Sequence, residues 1–211
     1  SINAVAKYWN IDLPISEANE IASKYAGMNG SILIEGINLA ERHGLSSLIL
    51  HSGITELKQV IDMGIPPIVI LPGLHDVVQH ASIISGYDDK EKTIFHYVPE
   101  QKPSEEGIQV GVIPEKRFEK LWSEDGCLMI LLGPTDILSS LKYDENKTKS
   151  NRLCFESEKL SLQKQTKETT DSLEKAIELN PNNSTALCLL GGILNEQNNP
   201  ECVTYYEKSL E

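Results

Sequence analysis

The sequence predicts an α+β fold, with short helices first, a run of mostly antiparallel strands next, and a helical segment at the C-terminal end. From residue 1 to about 135, segments with helical spacing alternate with apolar, β-branched runs. From about residue 140 onward strand signals are few and polar helix formers dominate. The stretch between these regions is rich in Gly, Pro, Ser and Asn. We therefore predict a first domain at 1–137, a linker at 138–150 and a helical segment at 151–211.

The spacing of apolar residues and the positions of capping residues predict five helices in the first domain. Ile2, Val5, Ala6 and Trp9 share one face of the first helix. Ser16 is the expected N-cap of the second, because its side chain can accept a hydrogen bond from the first turn. Glycine ends the third and fourth helices, and proline begins the fifth. The predicted helices are residues 1–9, 15–25, 31–43 (ended by Gly44), 54–64 (ended by Gly64) and 114–126 (begun by Pro114).

Apolar runs rich in β-branched residues predict six strands. One of them opens with His80 and leads into Gly86-Tyr87-Asp88, and the next runs into Val98 and Pro99. A histidine at the first position of an otherwise apolar strand is either a hydrogen-bonded structural residue or a catalytic one. The predicted strands are 46–52, 66–73, 80–87, 93–98, 108–113 and 127–134.

Composition excludes several classes of function. The chain carries 31 acidic and 19 basic side chains, a net charge of −12, which argues against nucleic acid or an anionic membrane as the main partner. No run of ~18 or more apolar residues is present, so we predict no membrane span, and the N-terminus lacks the pattern of a signal peptide. The four cysteines have neither CxxC pairing nor a histidine at metal spacing, and we predict no metal and no cofactor.

The C-terminal segment contains an internal repeat. LEKAIE at 173–178 recurs as YEKSLE at 206–211, a spacing of 33 residues. Between them lie an Asn-Pro turn at Pro181 and a helical pattern that includes Leu187, Leu190 and Gly191. This arrangement resembles a tetratricopeptide repeat, in which small residues let paired helices approach closely, and a generic helical hairpin is the alternative. We expect about one and a half repeats, incomplete at the end, and a protein partner on this tail.

The first domain resembles a known family through the order of its segments. These are Tyr8-Trp9, GINLAERHGL, ITELKQVIDMGIPPIVIL, His80 with ISGYD, RFEKLW and CLMILLGP. Their order and spacing resemble the papain-like cysteine peptidases that cleave double-glycine leader peptides of the bacteriocin-processing type. In one branch of these enzymes tetratricopeptide repeats follow the peptidase domain. The resemblance covers nearly the whole chain and implies a papain-like fold with N-terminal helices and an antiparallel sheet.

The resemblance implies that His80 is the general base, but the rest of the catalytic set is incomplete. Val98 stands where an orienting Asp is expected, and valine cannot accept the imidazole proton. The family's nucleophilic cysteine would lie about four residues before Ser1, and its oxyanion glutamine further upstream. Ser1 falls about one helical turn too far along to replace the cysteine. Cys127, expected inside an apolar strand, should be inert.

Other polar residues are weaker candidates. His75-Asp76 precedes the strand of His80 and could orient or replace that histidine, although a solvated loop is the simpler interpretation. His96 alternates with Val98 along the next strand and is a candidate to face the cleft, and Glu100 could reach back as an orienting acid. His43 ends a helix, where positive charge suits the helix dipole.

Two hypotheses about the function follow, one of an enzyme and one of a binding protein. The chain is a piece of a cysteine peptidase whose nucleophile lies upstream, or it is a non-catalytic peptide-binding or scaffolding protein built on that fold. The uncapped start and the end inside a repeat helix favour the first, and Val98 favours the second. A third interpretation is a tetratricopeptide scaffold with an unrelated α+β domain. As numbered, the chain is predicted to be inactive by the family mechanism, with a peptide or protein segment in the cleft as its partner.

Overall fold

The computed structural model describes residues 1–24, 32–72, 79–98, 109–124 and 126–210, except for six side chains within its helices and strands. The chain divides into two compact units. The N-terminal unit comprises residues 1–31 and 35–141, and the C-terminal unit comprises 32–34 and 142–211. The six side chains that lie outside the description are those of Ala22, Gln79, His80, Val98, Gln109 and Val110.

Four of the five predicted helices begin and end within two residues of their predicted bounds, whereas the fifth ends at Ser123 instead of residue 126 and a short helix at Thr135–Leu138 was not predicted. Gly44 and Gly64 follow the third and fourth helices with positive φ angles, as expected for glycine after a helix C-terminus. Helix α2 begins at Ile15 with Pro14 as its N-cap, so the prediction that Ser16 caps this helix was wrong. The helices are α1 (Ile2–Tyr8), α2 (Ile15–Ser23), α3 (Leu33–Arg42), α4 (Ile54–Asp62), α5 (Glu115–Ser123) and α6 (Thr135–Leu138).

The strands form one six-stranded sheet in the order β1-β6-β2-β3-β4-β5, and each of its strand pairs is antiparallel. The α+β class with an antiparallel sheet is therefore confirmed. Cys127, expected within the last strand, instead precedes it in a turn with a φ of 55°. The strands are β1 (Ser46–His51), β2 (Ile68–Pro72), β3 (Gln79–Asp88), β4 (Thr93–Val98), β5 (Gln109–Pro114) and β6 (Leu128–Gly133).

The register of β2, β3, β4 and β5 positions the predicted site. The backbone of His80 pairs with Leu71 of β2. Ile83 pairs with Tyr97 of β4, and a register shift follows between Ile84 and Gly86. On the outer side of β4, His96 pairs with Gly111 of β5. The N-terminal half of β3 therefore pairs with β2, and its described pairing with β4 begins at Ile83.

One face of the sheet packs against α4 and α5. Trp122 and Phe118 of α5 are fully buried, with ring centroids 5.4 Å apart, and the Trp122 indole donates to the Leu128 carbonyl at 2.8 Å. Burial of aromatic side chains dominates core energetics, and a buried indole N–H needs a partner. The same cluster contains Leu48, Leu57, Val60, Ile65, Val69, Leu71, Ile84, Ile94, Met129, Leu131 and Leu138.

The C-terminal unit contains four described helices, and its first helix occupies residues that we predicted as a linker. The Asp144 side chain accepts hydrogen bonds from the backbone N–H groups of Asn146 and Lys147, which caps the helix from Glu145 onward. Residues 145–150 are therefore helical, which the polar composition of this stretch concealed. The helices are α7 (Glu145–Leu162), α8 (Thr166–Leu179), α9 (Ser184–Glu196) and α10 (Cys202–Ser209).

The helices α7 and α8 pack antiparallel through small and polar side chains. The Ser150 hydroxyl, in the first half of α7, donates to the Ala176 carbonyl in the last turn of α8 at 2.6 Å. Asn183 caps α9 by accepting from the Ala186 N–H, and its amide donates to Ser150 at 2.8 Å. These buried polar groups satisfy one another, so the two helices and the start of α9 are joined by hydrogen bonds as well as by apolar contact.

Two adjacent glycines of α9 are expected to respond oppositely to alanine. A Cβ at Gly191 would lie 3.0 Å from the Tyr206 ring, whereas one at Gly192 would meet only the Tyr206 hydroxyl at 3.8 Å. We expect Gly191→Ala to destabilise the C-terminal unit by about 1–2 kcal/mol through overpacking. Gly192→Ala should stabilise it by about 0.5–1 kcal/mol, because alanine is the better helix former. Urea unfolding followed by far-UV circular dichroism measures both, and equal effects would contradict the packing of Gly191 against Tyr206.

Candidate functional site

The start of helix α1 lies against strand β3, next to the predicted catalytic position. The Ser1 hydroxyl donates a hydrogen bond to the backbone carbonyl of Ala81, the residue after His80. The other end of α1 is held by Tyr8, whose hydroxyl donates to the Gly64 carbonyl at 2.9 Å, and by Trp9, whose indole donates to the Leu132 carbonyl at 2.8 Å. Contacts at both ends of the helix therefore hold its N-terminus beside β3.

His80 and Val98 lie in β3 and β4 as predicted, but only their backbones are described. His80 pairs with Leu71, and Val98 pairs with Gln109. The general-base role of His80 therefore stays a prediction. Whatever its position, the side chain of Val98 offers no acceptor for an imidazole proton. His75, Asp76 and Glu100 lie outside the described residues.

A buried polar pair joins β3 to β4 beside these two positions. Ser82 is fully buried, and His96 is 9% exposed. The Ser82 Oγ lies 2.9 Å from the His96 Nδ1 and donates to the Tyr97 carbonyl at 3.1 Å. His96 was a sequence candidate for the cleft, but Ser82 was missed. The signal available was the alternation of polar residues at 80 and 82 in an otherwise apolar strand.

Gly111 makes room for the His96 ring. A Cβ at position 111 would lie 2.4 Å from the His96 Nε2, closer than side-chain atoms can approach. Because Gly111 is directly opposite His96 in the β4–β5 ladder, the ring lies over the glycine Cα. The imidazole is therefore confined between Ser82 on one strand and the backbone of another.

Two other histidines have partners of their own. The His43 Nε2, after the end of α3, lies 3.1 Å from the Glu17 Oε1. The His51 Nδ1, at the end of β1, lies 2.7 Å from the Gly126 carbonyl. Glu17 of α2 and the Gly126 carbonyl in the turn before β6 therefore each bind one ring nitrogen.

Two of the four thiols, those of Cys127 and Cys154, are poor nucleophiles. Burial raises the pKa of the Cys154 thiol to about 12. Burial also raises the pKa of Cys127, and the nearby negative charge of Glu119 adds to the shift. The thiolate is the reactive form of cysteine, and both groups are protonated at neutral pH. The raised pKa supports the prediction that Cys127 is unreactive, although the residue lies in a turn and not in a strand.

A cluster of charged residues in the N-terminal unit links helix α4 to the turn after β3 and to helix α5. The Lys58 amino group of α4 lies 2.6 Å from carboxylate oxygens of Asp89 and Glu115 and 5.0 Å from the Tyr87 ring centroid. The hydrogen bonds that Lys58 donates to the two carboxylates raise the pKa of Lys58, and the same bond to Asp89 lowers the pKa of Asp89. Each charge in this cluster has a partner, which is typical of a structural ion pair and not of an acid-base site.

Within the ranges that the structure describes, no three His, Cys, Asp or Glu side chains are grouped so that they could hold a metal ion. None of the described helices is long and apolar enough to cross a bilayer.

The chain was compared with known sequences and structures. No protein-family model matches it, and no curated protein matches it. Among solved structures, it is similar to the peptidase domain of Streptococcus ComA, a bifunctional ABC transporter involved in a quorum-sensing pathway, with 19% identity and a TM-score of 0.48. That similarity covers 64% of this chain and 88% of the ComA domain.

Two further structures are similar to this chain. A double-glycine motif protease from an AMS/PCAT transporter, solved in complex with the leader peptide, is 17% identical with a TM-score of 0.46. The similarity covers 64% of this chain and 81% of that protease. The peptidase domain of Streptococcus mutans ComA is 16% identical with a TM-score of 0.38, over 55% of this chain and 84% of that domain.

Proposed function

We propose that the N-terminal unit has a peptide-binding cleft of the papain-like leader-peptidase type between the start of α1 and β3. We propose further that the residues of this chain do not hydrolyse the bound peptide. The observation that carries the proposal is the hydrogen bond from Ser1 to the carbonyl of Ala81. It brings the N-terminus of a helix, which favours negative charge, next to the strand of His80. A nucleophile helix beside a histidine strand is the arrangement that the sequence resemblance implies.

The chemistry of the site explains why we propose that the bound peptide is not hydrolysed. A cysteine peptidase needs a thiolate, a histidine to share its proton and a group that orients the histidine. Position 98 is a valine, and the pKa values of Cys127 and Cys154 are raised. The hydroxyl of Ser1 is bonded to a backbone carbonyl. His80 would then contact the peptide as a hydrogen-bonding group and not as a base.

The alternative is an active peptidase whose nucleophile precedes Ser1. The same contact favours it, because a residue four positions earlier would lie about one helical turn, roughly 5.4 Å, beyond Ser1 in a continued α1. The intact mass and N-terminal sequence of the natively expressed protein decide between the two. A cysteine about four residues before Ser1 would support the peptidase and overturn the inactive form.

Binding and cleavage are measured separately on the chain as numbered. We use a fluorescent synthetic peptide that contains the small-residue, double-glycine pattern expected from the resemblance, with anisotropy for binding and mass spectrometry for products. We expect saturable binding without product. His80→Ala should weaken binding about tenfold, the effect of losing one hydrogen bond worth about 1.4 kcal/mol.

The control variant is His43→Ala, which removes a histidine bonded to Glu17 and should leave peptide affinity unchanged. Absence of saturable binding by the parent protein would overturn the peptide-binding proposal. Product formation that is lost in His80→Ala would overturn the proposal of an inactive cleft.

The C-terminal unit is proposed to be a tetratricopeptide-like docking segment for a protein partner. Two pairs of residues 34 positions apart support this, namely Leu153 with Leu187 and Ser157 with Gly191. Ser157 and Gly191 are both small and buried, where paired helices come close. Cross-linking in a native extract tests docking, with Leu189→Asp as the surface variant because Leu189 is 41% exposed on α9. A cross-linked partner is expected to be lost in this variant, and no partner in either protein would contradict the proposal.

A further inference from the structure

Strand β5 lies at one edge of the sheet, and its described pairing is with β4 alone. The outer side of an edge strand presents N–H and C=O groups with which another strand can pair, and charged side chains commonly protect such edges. The residues of β5, Gln109–Pro114, include no charged side chain. At the opposite edge, Ile49 of β1 has a polar partner as well as its strand pairing with β6. Of the two edge strands, β5 is therefore the less protected one.

The register of β5 against β4 determines which backbone groups point away from the sheet. The Glu115 N–H donates to the carbonyl of Lys92 at 2.8 Å, and the β4–β5 register places these two residues directly opposite each other. Hydrogen-bonded and non-hydrogen-bonded pairs alternate along an antiparallel ladder. The odd-numbered residues of β5 therefore bond to β4, and the backbone groups of its even-numbered residues point outward. These even-numbered residues are Val110, Val112 and Pro114.

Pro114 and Val112 both fit this assignment. Proline has no N–H, and an edge strand tolerates it where the missing donor would have pointed away from the neighbouring strand. The side chain of Val112 is 57% exposed. Among the described residues, none forms a hydrogen bond with the outward N–H or C=O of Val112. An extended backbone is the chemical group that pairs with such a donor and acceptor together.

A second copy of this chain is complementary to this edge in one antiparallel register. With a two-fold axis at Gly111, the outward groups of Val110 in one copy face those of Val112 in the other, so each N–H meets a C=O. An axis at Val112 would instead place the Val110 carbonyl opposite Pro114, which has no proton to donate. The axis at Gly111 also brings two glycines together at the closest approach of the strands, where neither has a side chain to clash.

We propose that the outer edge of β5 is a self-association surface, on which the β5 strand of a second copy pairs antiparallel with its centre at Gly111. The sheet then continues from one copy into the other, and the contact surface includes the exposed side chain of Val112. The net charge of −12 opposes this contact, so the association should be weak and should strengthen as salt screens the repulsion. The proposal does not depend on peptide binding in the cleft.

Sedimentation velocity of the full chain tests the proposal from about 10 μM to about 1 mM protein, where we expect a monomer–dimer equilibrium with a dissociation constant of roughly 0.1–1 mM. Raising the salt from about 0.05 M to about 0.5 M should shift it toward dimer. Val112→Pro removes the outward N–H and keeps the bonds to β4, so we expect at least a tenfold loss of association, with a monomer at every concentration.

The matched control is Val112→Thr, which keeps both the N–H and the branched side chain and should associate within about twofold of the parent. Far-UV circular dichroism checks that the proline variant is folded. If it is not, Val112→Lys is the second variant, because it places a positive charge on the edge and leaves the backbone unchanged. A parent protein that is monomeric at all concentrations overturns the proposal. A dimer that persists in both Val112→Pro and Val112→Lys overturns it as well.

Amide hydrogen exchange, followed by NMR, provides an internal comparison within the strand. The inward N–H of Ile113 is bonded to β4 and should be protected at every protein concentration. The outward N–H of Val112 should exchange quickly in dilute protein and at least tenfold more slowly at about 1 mM. If Val112 exchanges at the same rate at both concentrations while the protein dimerises, the contact lies elsewhere and the proposal is overturned.

Discussion

Replacement of Trp122 by alanine is expected to destabilise the N-terminal unit by about 3–5 kcal/mol, the range for large aromatic side chains in a core. Trp122 is fully buried between α5 and the sheet and packs on Phe118. Its indole also donates to the Leu128 carbonyl, so alanine leaves both a cavity and a buried acceptor without its donor. Such a loss is a large fraction of the free energy of unfolding of a typical domain.

Urea unfolding followed by tryptophan fluorescence isolates this effect. Both tryptophans lie in the N-terminal unit, so Trp9 remains as a reporter of that unit in Trp122→Ala. The control is Lys116→Ala on the same helix, where the side chain is exposed and the change should stay within about 0.5 kcal/mol. A loss below about 1 kcal/mol in Trp122→Ala would contradict the burial described for this ring.

Gly111→Ala is expected to cost about 2–3 kcal/mol, the upper part of the range for overpacking. The added Cβ would lie 2.4 Å from His96 Nε2, and the ring is already held by Ser82 on its other side. Relief would require the imidazole to leave its hydrogen bond or β5 to move away from β4. Either change disrupts the sheet at the strands beside the cleft.

Gly86→Ala is the matched control for Gly111→Ala. Gly86 is opposite Phe95 in the same sheet, and a Cβ there would meet the Phe95 ring at an ordinary 3.4 Å. We expect this variant to be neutral or more stable by up to about 0.5–1 kcal/mol, because alanine restricts the unfolded chain. The double variant Gly111→Ala with His96→Ala should cost less than the sum of its single changes, since alanine at 96 removes the clash. Equal stabilities of the two glycine variants would contradict the placement of His96.

Local sequence signals predicted most of the secondary structure. Gly44 and Gly64 end helices where glycine was expected, and the six β-branched runs all form strands. The errors arose where tertiary contacts or neighbouring capping residues determine at which residue a helix begins. Ser16 has the chemistry of a cap, but α2 begins one residue earlier at Ile15. The polar start of α7 carried no clear helix signal, although Asp144 caps it and residues 145–150 of the predicted linker are helical.

The candidate site, too, could be predicted from the sequence only in part. The chemistry of individual positions was readable, because a valine at 98 can accept no proton and the histidine at 80 opens a strand. The hydrogen bond between Ser1 and Ala81 could not be predicted from the sequence, since it joins residues that are 80 positions apart. The pairing of Ser82 with His96 likewise depends on the β3–β4 register, which shifts between Ile84 and Gly86.

The amino-acid sequence by itself determined the α+β class, most helix and strand boundaries, the acidic charge and the absence of a proton acceptor at position 98, because each depends on residue types and short-range spacing. Only the tertiary structure decided that α1 starts beside β3, that Gly111 leaves room for His96, and that Ser82 holds the imidazole. Strand order and register set these contacts, and a shift of one residue would turn every side chain of a strand to the opposite face.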